Sequence, residues 1–470
     1  MLFNSIEFLL FFVAILFFYY ALPHKYRWVL LLGGSYFFYG YWKASYLLLI
    51  MSSTILDFFI GQQIFLSSSK SVKKLLLYLS LATNLSVLIL FKYFDFFITN
   101  ISVLLSQANI NCELYPLELI LPIGISFYTF QTLSYSIDIY NGKIKQPEKH
   151  LGKFALFVSF FPQLVAGPIE RASHLLPQFH KKQHFDYEQI KKGLTLMLWG
   201  FFKKIVIADR LAIFVNEIYG TPTEYHGLTL VTATIFFAFQ INCDFSGYSD
   251  IAIGAARTMG FDLMKNFRTP YFSASISEFW SRWHISLSTW FRDYVYIPLG
   301  GNRTVKWKWY YNLILTFLIS GFWHGANWTF IIWGLLHGTL LVIQNFKFLL
   351  INSNNNFIKM IKIANTFTLV CIGWIYFRAN SLSDANYIVG EVFDVMQYKI
   401  NQLSLYIVPV SKSTVYSIDI LLSILTIIVL VLTEYIFTKK IEFHQLSSKI
   451  KLPILVIVIL SIFIFGSFEK

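Results

Sequence analysis

Two histidines in this chain stand where an imidazole is expensive to keep. His324 lies in Ser320-Gly321-Phe322-Trp323-His324-Gly325-Ala326-Asn327-Trp328, between the apolar runs Leu313 to Ile319 and Phe330 to Leu336. A titratable ring at membrane depth needs a partner, a wet cavity or a reaction. Histidine is also the side chain best suited to moving protons near neutral pH. The alternative is a hydrogen-bonding group packed between helices. Trp323 and Asn327, on either side of it in sequence, are candidates to contact a substrate. Asn327 can orient the imidazole or simply bond across to another helix. Gly321, Gly325 and Ala326 are small enough for close helix approach or for room beside a ligand.

His284 is the second candidate, next to Arg282 and Trp283 in SEFWSRWHISLSTWFRDYVY, residues 277–296. Read as one amphipathic helix, this stretch suits an interface or a cavity wall. Glu278 and Arg282 then pair four apart on one face, and Trp280 and His284 share another. His337 follows His324 by 13 residues. On an unbroken helix that places it about 220° away, so it reads as a packing residue. NCDFSGYSD at 242–250 carries Asp244, Ser246, Tyr248 and Asp250 but no GxSxG elbow and no neighbouring histidine. It reads as a hydrogen-bonding bend that supports the site, with Asp244 near the substrate. Two carboxylates alone are too few oxygen ligands for a hard cation. Pro298-Leu299-Gly300-Gly301-Asn302-Arg303 is a turn whose amides and Arg303 can meet an anion such as a phosphate. Together these parts suit a metal-free chemistry, in which a neutral histidine deprotonates a hydroxyl that attacks a thioester.

The elements that must position these residues are membrane helices. The 470 residues are 56% hydrophobic, 19% aromatic and only 13% charged, about half the charge of a soluble domain. Apolar runs fall near 6–22, 28–42, 44–60, 75–91, 152–166, 194–215, 226–243, 310–323, 328–346, 360–377, 416–433 and 452–468. With 93–106 and 117–135 as ambiguous pieces, roughly a dozen spans are expected. The first run, Ile6 to Leu22, has no basic stretch before it and no small-residue cleavage site after it, and reads as a retained span. The formal net charge of +13 comes from Lys and Arg between apolar runs, where they hold cytoplasmic loops and meet lipid headgroups. No soluble basic face with interleaved aromatics occurs, so nucleic acid is not expected as a partner. Cys112, Cys243 and Cys371 form no paired or metal-ligand pattern. Ile351 to Asn356 reads as an exposed polar turn. No internal repeat supports a transporter built from inverted halves. The chain reads as one integral-membrane domain, 1–470, with its motif-bearing core at about 120–380, N-terminal spans in 1–119 and C-terminal spans in 381–470.

Long motifs carry a family resemblance. NCDFSGYSDIAIGAARTMGFDLMKNFRTPY at 242–271, SISEFWSRWHISLSTWFRDYVYIPLGGNR at 275–303 and ISGFWHGANWTFIIWGLLHG at 319–338 resemble the membrane-bound O-acyltransferase family. Weaker support comes from 121–140, 160–171 and WIYFRA at 374–379. The likeness is strongest to the bacterial branch that O-acetylates alginate, peptidoglycan and similar polymers. It implies an all-α ring of helices around a thinned centre with a tunnel, and His324 and His284 as the important histidines. It also implies acetyl-CoA as acyl donor, with no bound cofactor, and an extracytoplasmic SGNH-hydrolase-like partner that places the acetyl group on a polysaccharide acceptor. The resemblance further implies a setting in the bacterial cytoplasmic membrane. Arg282, Arg303 and nearby amides are candidates to meet the donor's phosphates or the thioester oxygen. Three rivals stand beside this reading: D-alanyl transfer to teichoic acid by the same family, a transporter using His324 as a proton relay, and a non-catalytic scaffold for a secreted acetylase.

Overall fold

The computed structural model describes residues 1–110, 112, 114–165, 167–346, 355–397, 417–438 and 448–466. The polar run at 351–356 falls mostly outside the described residues. Among the described residues the regular structure is helix alone, and the protein is an all-α, multi-pass membrane protein. Among the described residues, five helical stretches are long and apolar enough to cross a bilayer: Ala44–Leu66, Lys70–Gln107, Leu228–Thr258, Asn356–Arg378 and Asp419–Ile436. Ile6–Ala21, Trp328–Ile343 and Lys451–Phe465 are shorter apolar helices.

Fewer helices pass that test than the sequence has apolar runs, for identifiable reasons. The runs at 75–91 and 93–106 belong to one continuous helix, Lys70–Gln107, with a wider turn at Ile89–Tyr93. The run at 152–166 breaks into Leu151–Ser159 and Phe161–Leu164, whose side chains from Phe154 onward are buried in protein. Within 117–135, helix begins only at Ile125, and Ile125–Tyr140 is buried on most of its surface. An apolar run signals exclusion from water, and protein interior satisfies it as well as lipid does.

The chain forms two compact units. The first comprises Met1–Met197 with Ile251–Lys265, and the second Leu198–Asp250 with Asn266–Lys470. In the first unit, helices Leu47–Leu66, Lys70–Leu88 and Ile125–Tyr140 pack around the fully buried Asp57. Ser80 Oγ donates to Asp57 Oδ1 at 2.5 Å and Asn84 Nδ2 to Oδ2 at 2.8 Å, with Ser136 Oγ at 3.4 Å. A carboxyl is tolerated in an apolar interior when its oxygens are satisfied in this way. In the same unit, buried Glu170 accepts from Met264 N at 2.5 Å and from His174 Nδ1 at 2.7 Å. Burial pushes the Glu170 carboxyl up, and Glu170 in turn holds the His174 imidazole above its ordinary range.

The second unit is organised by the hairpin of Lys306–His324 and Trp328–Ile343, against which Asn356–Arg378 packs. Glycine makes the hairpin tight. A Cβ on Gly321 would lie 2.2 Å from Phe330 O, and one on Gly334 2.3 Å from Phe317 O. The two backbones therefore touch, as small residues permit between helices in lipid.

Candidate active site

His284 is built by a broken helix. Ser275 caps Ile276–Arg282 by accepting from Glu278 N at 3.1 Å, and Glu278 Oε2 accepts from Ala274 N at 2.7 Å. This Ser-x-x-Glu pair is a helix-start signal legible in the sequence. The helix ends at Trp283, and His284 takes a left-handed conformation, φ +41°, before Ile285–Phe291 begins. That conformation is unusual for a side chain with a Cβ and is held by its surroundings. The non-helical segment at Asn266–Arg268 clamps both sides of the break. Arg268 N donates to Arg282 O and Ile285 N to Asn266 O, each at 2.9 Å.

The expectation of one helix over 277–296 is thus overturned. A second break follows, since Arg292–Tyr296 is a wider, π-type turn. The Glu278–Arg282 pair survives within the first short helix, but Trp280 and His284 do not share a helical face. Trp280 instead donates its Nε1–H to His337 Nδ1 at 3.3 Å.

The clamp also fixes the His284 ring. Asn266 Oδ1 lies 3.1 Å from His284 Nδ1 and accepts from Ser286 N at 3.2 Å and Ser286 Oγ at 2.9 Å. Asn266 Nδ2 donates to Ser249 Oγ at 3.2 Å. The ring packs edge-on to Phe245, with centroids 4.5 Å apart, and stacks on Phe267 at 6.3 Å. His284 lies outside every span. Burial, with His324 near enough to add repulsion, holds its imidazole well below the usual histidine range, so the ring is neutral.

His324 is the last residue of its helix, which stops at the extended Gly325. Its ring meets Trp333 at 5.1 Å and Phe377 at 5.2 Å, both edge to face. Trp374 stacks on Trp333 at 6.3 Å and lies 4.9 Å from Trp283, the residue before His284. An aromatic wall of Trp283, Trp374, Trp333 and Phe377 therefore runs between the two histidines. Trp333 is 1% exposed, and its indole N–H has no hydrogen-bond partner among the described residues. Two residues of this wall, Trp374 and Phe377, belong to the WIYFRA stretch. Asn266 lies inside the 242–271 motif, but no spacing signal singles it out, because its partner is 18 residues away.

The remaining candidates fall elsewhere in the second unit or serve its framework. Asn327 caps Trp328–Ile343, accepting from Thr329 N at 3.0 Å, and donates to Asn380 O at 3.2 Å. Trp323 precedes His324 on the same helix. Arg282 is engaged by Glu278. Arg303 is exposed on a turn whose carbonyls at Leu299 and Gly301 accept from Asn312 Nδ2. The bend expected at 242–250 is a continuous part of the Leu228–Thr258 helix. Its polar side chains face two lysines of the π-type turn Phe202–Ala208: Lys204 pairs with Asp244 at 2.6 Å, and Lys203 with Asp250 at 2.6 Å and Ser246 Oγ at 2.8 Å. Paired carboxylates need not break a buried helix, which is why the polar signal misled. His337 is fully buried, and the helix breaks between it and His324. The angle computed for an unbroken helix does not apply. Trp333 touches both rings, at 5.1 Å and 5.0 Å.

Residues 35–382 match the model of MBOAT, the membrane-bound O-acyltransferase family. The chain belongs to that family. It is 40% identical over 407 residues to a probable alginate O-acetylase of Pseudomonas putida, covering 86% of this chain and 82% of that protein. The peptidoglycan O-acetyltransferase of Helicobacter pylori is 39% identical over 384 residues, 76% of this chain and 72% of that protein. The teichoic acid D-alanyltransferase of Bacillus subtilis is 31% identical over 282 residues, 56% of this chain and 70% of that protein. This membrane-bound O-acyltransferase is accordingly an enzyme of acyl transfer.

Proposed function

We propose that this protein is the membrane component of a polysaccharide O-acetylation system in a bacterial cytoplasmic membrane. The acyl donor is acetyl-CoA, taken from the cytoplasmic side through the tunnel that the family resemblance implies. An extracytoplasmic SGNH-hydrolase-like protein receives the acetyl group and places it on a sugar hydroxyl of the cell envelope or an exported polymer. The observation that carries this reading is the pairing of His284 and His324, 40 residues apart in sequence, along one aromatic wall of an O-acyltransferase.

His324 acts as general base. It takes the proton of the acceptor hydroxyl while that oxygen attacks the thioester carbonyl carbon. The carbon–sulfur bond then breaks, and the proton returns to the departing thiolate. A neutral His284 assists from the neighbouring wall. The Trp333 indole N–H, buried beside His324 and unpartnered among the described residues, suits a developing oxyanion on the thioester carbonyl. Of the two arginines, the exposed Arg303 is better placed than the paired Arg282 to meet a donor phosphate.

Acetylation is favoured over D-alanylation by the broader and closer likeness, 40% over 86% of the chain against 31% over 56%. The test is base-releasable acetate in purified peptidoglycan and in secreted polysaccharide, from wild-type cells and cells carrying His324→Ala at matched protein level. Loss from one fraction names the acceptor. Unchanged acetate in both removes the reading.

A further inference from the structure

We propose that Asn266 is a positioning residue that locks His284 in one tautomer, proton on Nδ1 and lone pair on Nε2, so that His284 assists the base His324 with Nε2 as a hydrogen-bond acceptor. The inference rests on the functional reading above and extends it to a residue that carries no charge.

The argument begins with an atom whose role is not adjustable. The backbone N–H of Ser286 can only donate, and it points at the side chain of Asn266 at 3.2 Å. The receiving atom is therefore the amide oxygen and not the amide nitrogen. Asn266 Nδ2 finds its own acceptor in Ser249 Oγ at 3.2 Å, which agrees. An oxygen fixed in this way can only accept from the imidazole, so the His284 nitrogen 3.1 Å away carries the hydrogen. Neutral imidazole holds one such hydrogen. Nε2 is then an acceptor and cannot donate until it has itself taken up a proton.

Backbone geometry holds the lock. Asn266 O accepts from Ile285 N at 2.9 Å, one residue from the histidine, and His284 is pinned at φ +41°. His324 is a titratable group whose charge acts on the ring, and Phe245, Phe267 and Asn266, which contact it, are uncharged. The same device orients catalytic and metal-bound histidines generally, where the partner of one ring nitrogen decides what the other can do.

The test measures transfer of radiolabelled acetyl from acetyl-CoA to polymer in everted vesicles bearing the full chain and its native partners. Rate is read against pH from 5 to 9. Asn266→Ala frees the tautomer and lowers the rate about tenfold or more. Asn266→Asp keeps the acceptor geometry but adds a charge, so His284 binds its proton more tightly. Its acid limb moves to higher pH by about one unit or more, with activity recovered above that limb. A rate for Asn266→Ala within twofold of wild type overturns the proposal. So does an Asn266→Asp profile that is lowered but not displaced, since a purely structural residue behaves that way. If Asn266→Asp does not accumulate, the cycle with His284→Ala decides: no further loss on adding Asn266→Ala supports the lock, and a further tenfold loss overturns it. His324→Ala in the same vesicles separates the two readings. Full activity there removes the functional assignment, whereas an inactive His324→Ala beside an unshifted Asn266→Asp removes only the lock.

Discussion

Replacing Gly334 by alanine places a methyl group 2.3 Å from Phe317 O, where real Cβ contacts begin at 3.0 Å, and 3.3 Å from Gly321 Cα. Both obstacles are backbone, so no side chain can swing aside. The hairpin that carries His324 on one arm and Trp333 on the other must open by at least 0.7 Å. Overpacking of this kind costs about 1–3 kcal/mol, which lowers the melting temperature by several degrees. The larger effect falls on chemistry. A misplacement of about 1 Å can cost about a hundred-fold in rate, so transfer should fall roughly ten- to hundred-fold in protein that still accumulates. Gly390→Ala is the control, because its methyl group meets nothing within 4 Å. The assay pairs acetyl transfer in vesicles with thermal unfolding of the detergent-solubilised protein. Wild-type rate and wild-type melting for Gly334→Ala would refute the contact between the two helices and the reasoning built on it.

Four further outcomes follow from the same structure. Trp333→Phe keeps an aromatic ring against His324 and removes the indole N–H; kcat for acetyl transfer should drop by about a hundred-fold, and an unchanged kcat excludes that donor from the transition state. His337→Leu strips Trp280 Nε1 of its acceptor, so melting shows a loss of about 1–3 kcal/mol while transfer persists; complete loss of transfer in folded protein would move His337 from packing to catalysis. Asp57→Ala leaves the donors of Ser80 and Asn84 facing an apolar interior and should lower protein accumulation sharply, whereas Asp57→Asn, which retains an accepting oxygen, should accumulate near normally. His174 binds its proton more tightly when folded because of Glu170, so its stabilisation is complete below about pH 6.5 and fades as pH rises through its raised value. Glu170, raised by burial, acts in the same direction. Melting temperature should therefore decline from pH 6 to 8 (about the histidine range) more steeply in wild type than in His174→Ala, and equal slopes in the two proteins contradict the pairing.

Composition and local pattern carried a good deal of this. Long apolar runs with few charges can only be satisfied by helices in lipid or in a large apolar interior, so the all-α membrane class is written along the chain. The Ser275–Glu278 cap and the pairing of Glu278 with Arg282 are likewise local, made within one turn. His284 and His324 stand out because a titratable ring among apolar residues demands an explanation wherever it occurs. What local pattern could not carry is any relation between distant segments. Whether an apolar run such as 152–166 meets lipid or protein depends on what packs beside it, and the acids of 242–250 stay helical because Lys203 and Lys204 come to meet them. The break at His284 is made by backbone bonds from Asn266 and Arg268, so the pattern at 277–296 looks like one helix until that clamp is in place. The tautomer of His284 was decided at the same level. It depends on an amide 18 residues away, held by a backbone N–H of the histidine's own helix, and a hydrogen bond of that reach exists only once the chain has folded.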